Sequence, residues 1–343
     1  MTLKNLATPK NIIGVIAIAA FVVIVPQVVQ GFAMTIINVA LLFAIISYGV
    51  SIMLGMGGQL SFAAVTFMGF GAYFIANMST GRLGFVMPTM LALLLTPIVF
   101  AGVAFLIGLV LLKLKGTYFT FSTIALVQVS FTFFNNFQPL FGGPDGISGI
   151  PTLSIGSYSF GNDLTAWFYL ICVFVIIGGI IVERIRRSQL GRSLASIRDN
   201  ETAALTLGVN TYLTKVIAFS IAGAFAAFAG ALWVMHGRFV GAEMFNFLNA
   251  TQFIIMAMIG GVNSTIGIVV GALLVRGLPE FFRAFQGYMN LFWGVSIILL
   301  MVFMPTGLAG IKDVIVDKFQ QYRIKSRKGD EGDEDVDATN TKA

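Results

Sequence analysis

Long apolar runs recur from residue 12 almost to residue 305, and they leave this chain few ways to fold. In order they cover 12–30, 34–55, 60–78, 88–112, 117–134, 164–182, 213–235, 247–262, 265–282 and 289–305. A helix needs about 20 apolar residues to cross the hydrocarbon of a bilayer, and most of these runs approach that length. A water-soluble chain of 343 residues would still need a charged exterior, yet 57% of the residues are hydrophobic, 10% are charged and mean hydropathy is +0.90. The bilayer leaves no water for backbone groups, and the runs lack the alternation of barrel strands, so helices are the expected form. The expectation is an all-α polytopic membrane protein with about ten transmembrane helices, in the range eight to ten. Two places stay open between full spans and re-entrant half-helices. One is 60–78, which follows Gly55, Gly57 and Gly58; the other is the pair 247–262 and 265–282, which meets at Gly-Gly-Val-Asn-Ser.

Lysine and arginine placement sets the expected orientation, because positively charged loops stay cytoplasmic. With both termini inside, 17 of the 21 basic residues fall on the cytoplasmic side, and Arg82, Arg238, Arg276 and Arg283 fall outside. The net charge of +6 is then a topology signal and not a nucleic-acid footprint. Residues 1–11 are expected as a cytoplasmic N-terminus and 12–311 as the membrane domain, its first run an uncleaved helix longer than a signal-peptide core. Residues 312–343, a basic block followed by an acidic one, are expected as a disordered cytoplasmic tail whose basic part meets lipid headgroups.

Several chemistries find no support. The single Cys172 excludes an intramolecular disulfide and a thiolate-rich metal site, and there is no GxxxxGK[ST] to bind ATP. The lone His236 beside Arg238 reads as an interfacial side chain, so no catalytic role, metal or cofactor is expected. No ionisable group is expected near the middle of a span, and Glu280 with Arg283 reads as an interfacial pair. A proton-coupled carrier therefore loses support, and transport energy must come from another subunit. Small residues at Ala222, Gly223, Ala226, Ala227, Gly230 and Ala231, and at Gly267 and Gly271, suit close helix packing, expected within one subunit in preference to a dimer seam. Spans 2–5 and 7–10 enter from opposite sides and fit two inverted repeats.

One long polar segment interrupts the apolar pattern, Ser188 to Asn210 within the loop 183–212. Leu190, Leu194, Ile197, Ala204 and Leu205 have the spacing of one helical stripe, which predicts a single short amphipathic helix lying along the membrane. Such a helix rests on lipid, or it presents its small-residue patch Ala203, Ala204 and Gly208 to a groove on a soluble partner.

Glu201, Ala203, Ala204 and Gly208 resemble the cytoplasmic coupling loop of ABC importer permeases, with one residue inserted after the glutamate. The wider segment SQLGRSLASIRDNETAALTLGVN is closer to the form found in permeases of the branched-chain amino acid importer family. GMGGQLSFAAVTFMGFGAY (55–73), LKGTYFTFSTIAL (114–126), GGPDGISGIP (142–151), IGGVNSTIGIVVGALL (259–274) and the terminal MPTGLAGI resemble that family too, over roughly 30–311. The outer loop and GGPDGISGIP look like the larger of its two permease subunits.

The resemblance implies a multi-pass subunit of the bacterial plasma (inner) membrane that pairs with a second, homologous permease. Two cytoplasmic ATP-binding subunits and an external solute-binding protein would complete the importer, with ATP hydrolysis on the separate subunits. Coupling would rest on Gly191, Arg192, Arg198, Glu201, Ala203, Ala204 and Gly208. A path for a zwitterion needs uncharged hydrogen-bonding groups, for which Gln59, Ser61, Thr120, Ser122 and Gln128 are candidates. The same serines and threonines would equally bond their own helix backbone. Gly142, Gly143, Pro144, Asp145 and Gly146 would form an outer gate or docking turn. Branched-chain or related hydrophobic amino acids are the expected cargo. Urea, short amides or nucleoside-like solutes are the alternative, and a stand-alone channel is the alternative of another class.

Overall fold

The computed structural model describes residues 20–82, 84–155, 158–161, 163–281 and 294–295. Residues 20–28 are the described part of a first helix, α1. It is followed by α2 (Phe32–Ser51), α3 (Ala64–Thr80), α4 (Thr89–Leu111), α5 (Thr117–Asn136), α6 (Gln138–Phe141) and α7 (Leu164–Arg187). Then come α8 (Gln189–Asp199), α9 (Glu201–Thr206), α10 (Thr211–Gly237), α11 (Phe247–Gly260) and α12 (Thr265–Phe281). Sheet among the described residues amounts to two antiparallel pairings, β1 (Ile147–Ser148) with β4 (Phe239–Val240) and β2 (Ser154–Ile155) with β3 (Tyr158–Ser159). The protein is an all-α polytopic membrane protein. The expected last span 289–305, apart from 294–295, lies outside the described residues, as do the tail 312–343 and Arg283, the expected partner of Glu280.

Five helical stretches are long and apolar enough to cross a bilayer: Phe32–Met56, Thr89–Leu111, Thr117–Asn136, Leu164–Arg187 and Thr211–Gly237. α3 and α12 have 17 residues each, and α11 has 14. At about 1.5 Å per residue α11 reaches roughly 21 Å, short of the roughly 30 Å of hydrocarbon, so it does not cross alone. It forms a tight hairpin with α12, where a Cβ on Gly260 or on Gly267 would collide with the other's carbonyl.

The core is built around α2. Its most apolar stretch is 89% buried, and it runs without a break into a π-helical turn, Ile52–Met56. Such a helix needs no polar face, because other helices cover it on every side. α10 lies along α2, α3 and α4, and its small residues explain how closely. A Cβ on Gly71 would strike the Ala227 carbonyl, one on Gly230 would strike the Met68 carbonyl, and one on Gly223 would stand 2.5 Å from the Ala104 Cβ. The row of small residues on α10 is therefore taken up by packing within this chain.

Two charged side chains bear on the expectation that none stands near mid-span: one lies near a helix start, as its cytoplasmic assignment allows, and one lies deeper, against that expectation. Lys215 is buried near the start of α10, where it meets Glu201 at 2.7 Å. Arg276, assigned to the outer side within the expected run 265–282, lies within α12 with its guanidinium carbon 5.5 Å from the centre of the Phe43 ring. α12 runs on to Phe281, close to the expected end of the run at 282. His236 is half-buried in the last turn of α10, near the outer end where it was expected: Nε2 lies 3.4 Å from the Asn38 amide nitrogen, and the ring stands edge-on to Trp167.

Candidate coupling corner and polar helix face

The segment between α7 and α10 folds as a zigzag, because three polar residues each start a new helix. Ser188 accepts from the Gly191 N–H, Asn200 from Ala203 at 3.0 Å and Asn210 from Leu213 at 3.0 Å. Such caps satisfy amides that a continuing helix would have bonded itself. The expected single helix is therefore two, α8 and α9, broken at Asn200, whose backbone is extended (φ −159, ψ 106).

α8 is fastened to the membrane domain along its apolar edge. Leu194, Ile197 and Gly191 are buried, and a Cβ on Gly191 would collide with the carbonyls of Ile185 and Arg186. Arg198 donates from Nη1 to the Gly55 carbonyl at 2.8 Å. Gly58, with φ +64, leaves the room that the Arg198 stem fills, since a Cβ there would stand 2.5 Å from the arginine Cγ. On the other side of Gly55 a Cβ would meet the Val262 carbonyl at 2.5 Å and the Asn263 side chain at 3.0 Å. The π turn of α2 is thus the meeting point of α8 and the α11–α12 turn. Arg192 is exposed and donates to the Arg187 carbonyl at 2.8 Å.

α9 is held by the Glu201–Lys215 pair and by Ala204, which is buried. This corrects the small-residue patch: Ala204 packs inward, while Ala203 and Gly208 are exposed. Leu205, expected on the buried stripe, also faces out, because the break at Asn200 rotates α9 relative to α8. Leu205 is 51% exposed and Leu207 81%, the most exposed large apolar side chain among the described residues. Sequence reasoning missed Leu207, although its place before Gly208 (φ +82) marks it as the tip of a turn.

The candidate path residues divide into three kinds. Thr120 donates to the Leu60 carbonyl at 3.1 Å and Ser122 to the Phe119 carbonyl at 2.7 Å, so both are used by backbone. Gln59 has a buried side-chain oxygen with no hydrogen-bond partner, and Ser61 lies on a cavity of about 20 Å³, room for a single water. Gln128 alone faces open space, in a cleft of about 460 Å³ shared with Val129, Thr132, Phe133, Asn136 and Phe137. Gln128, Thr132 and Asn136 are four residues apart and form one polar stripe on α5. The last two were legible at that spacing but were not singled out.

At the opposite end of the bundle, Gly142, Gly143 and Gly146 have φ of +74, +62 and +67. A side chain on Gly146 would collide with the Val240 carbonyl, where β1 pairs with β4. These glycines shape a turn locked against the end of α10, and Pro144 and Asp145 are what it exposes.

Residues 32–305 match the family model described as "Branched-chain amino acid transport system / permease component". The chain belongs to this family. Relatives of these permeases include the high-affinity branched-chain amino acid transport system permease protein LivM of Salmonella typhimurium (strain LT2), 27% identical over 88% of this chain and 76% of its own length. The LivM protein of Escherichia coli (strain K12) matches to the same extent. The LivH protein of Salmonella typhimurium is 29% identical over 38% of this chain and 42% of its own. No solved structure matches the chain. Family membership makes it a multi-pass membrane permease within a multi-subunit transporter.

Proposed function

We propose that this chain is a permease subunit, of the larger type, of an ATP-driven importer for branched-chain or related hydrophobic amino acids. The observation that carries the reading is the corner Leu205–Gly208. Two leucines and an exposed glycine stand at the end of a short helix that the Asn200 cap and the ion pair with a buried lysine hold in place. An apolar tip on a rigid stalk, on the side of the bundle that carries most of the basic residues, suits a groove on a cytoplasmic ATP-binding subunit. Burying a leucine side chain is worth about 1.5–3 kcal/mol, enough for two of them to anchor such a contact.

ATP is hydrolysed on two such subunits and not on this chain. Their closure pushes the corner, and the push enters the membrane domain along α7, along α10 through Glu201 and Lys215, and along α8 through Arg198 and Gly55. Gly191 and Arg192 fix α8 to the end of α7. The Gln128 stripe of α5 faces the solute path, which a second, homologous permease completes. An external solute-binding protein delivers the amino acid to the side that carries Pro144 and Asp145, and both termini lie in the cytoplasm. The names of the relatives support this cargo.

Leu207→Asp tests the reading. The variant is expected to remain in the membrane but to lose co-purification with the ATP-binding subunits and at least 90% of ATP-driven leucine uptake, because an aspartate cannot enter an apolar groove unpaired. Uptake that survives this change, or uphill uptake by the chain reconstituted without ATP-binding subunits, overturns it.

A further inference from the structure

Arg276 is a charged side chain far from either end of the bundle. Its guanidinium carbon lies 5.5 Å from the centre of the Phe43 ring, and Phe43 stands near the middle of the 25-residue stretch Phe32–Met56. The depth follows from the packing. The α11–α12 turn touches Gly55 at Val262, and from that level Phe43 and Arg276 are each roughly 20 Å along their own helices at about 1.5 Å per residue. Both therefore lie well inside the hydrocarbon thickness.

A cation in that position is costly, and such residues face a bundle interior or a water-filled cavity, not lipid. The Phe43 face offsets part of the cost, but among the described residues neither a hydrogen bond nor an ion pair reaches Arg276, and its side chain is exposed. The ring beneath it is itself set among aromatics: Phe43 packs edge-on to Phe253 with ring centres 5.0 Å apart and to Trp233 at 5.8 Å, while the nearest carboxylate on the same helix, Glu280, makes no ion pair with Arg276. A planar fork of N–H donors beside an aromatic wall matches a small molecule that carries a carboxylate next to an apolar side chain.

We propose that Arg276 is a carboxylate-binding station within the membrane for the transported hydrophobic amino acid, with the Phe43 ring as its apolar platform. This rests on the transport reading above. A single arginine contact holds the zwitterion briefly and lets it go, as a path must.

The test uses the complete transporter, with its second permease, ATP-binding subunits and solute-binding protein, in proteoliposomes. Arg276→Gln is expected to assemble and hydrolyse ATP as the unsubstituted complex does, while leucine uptake falls at least tenfold; Arg276→Lys recovers part of it. A second measurement needs no turnover: the complex without its solute-binding protein should bind leucine in preference to leucinamide, and Arg276→Gln should erase that preference. Assembled Arg276→Gln complex that keeps uptake and preference sinks the carboxylate station alone. Loss of the second permease from both Arg276→Gln and Arg276→Lys overturns it by assigning the arginine to a subunit contact. Should the unsubstituted complex carry no amino acid, the transport reading fails first and takes this one with it.

Discussion

α4 and α5 are buried to the same small extent, 28% of their most apolar stretches, yet their mean hydropathies are 2.6 and 1.3. The outward face of α4 shows Leu91, Leu94, Ile98, Leu106 and Val110, which need nothing but lipid beside them. The outward face of α5 shows Gln128, Thr132 and Asn136 in a cleft. Thr132 and Asn136 donate to their own helix, to the Gln128 and Thr132 carbonyls, which lowers the cost of exposure without removing it. Equal exposure therefore comes with different chemistry: leucine, isoleucine and valine on α4, and a polar stripe set among Phe121, Val129 and Phe133 on α5.

The largest effect expected from this contrast comes from placing the same charge on each helix. Ile98→Asp should cost about 3 kcal/mol of insertion free energy and lower the amount of integrated protein more than tenfold. Thr132→Asp should leave that amount within twofold while uptake falls more than tenfold. Equal losses of integrated protein, read from immunoblots of membrane fractions, would erase the distinction. A smaller effect is expected for Gln128→Ala, with uptake three- to tenfold lower and ATP hydrolysis intact; unchanged uptake and selectivity would remove Gln128 from the path. The smallest is Ile98→Ala, which exchanges one lipid-facing apolar side chain for another. Uptake should stay within twofold, and a larger loss would show that α4 touches more than lipid.

Hydropathy made the helices legible because each span must be apolar whatever it packs against. Order and extent emerged from runs such as 88–112, now Thr89–Leu111, and 117–134, now Thr117–Asn136. Hydropathy is blind to hydrogen-bond register, so the π turn Ile52–Met56 left no trace. The break at Asn200 did leave one, an asparagine followed by an acidic first turn, but periodicity over Leu190–Leu205 outweighed it. Periodicity also cannot tell a face that meets lipid from one that meets its own chain, which is why Ala204 and Leu205 exchange places relative to the expected patch. Arg276 stands inside the expected run 265–282, but the placement of lysines and arginines assigned it only to the outer side and said nothing of its depth. Only the contact with Phe43 reveals its depth.

Gly55 offers its carbonyl to Arg198 on one flank and its bare Cα to the Val262–Asn263 turn on the other. With no side chain there to act as a cushion, a displacement of α8 by an ångström has only two outlets: the Arg198 bond breaks, or the α11–α12 hairpin moves with it. The two elements thus meet through a single residue, and any bulk added at position 55 would strike the Val262 carbonyl.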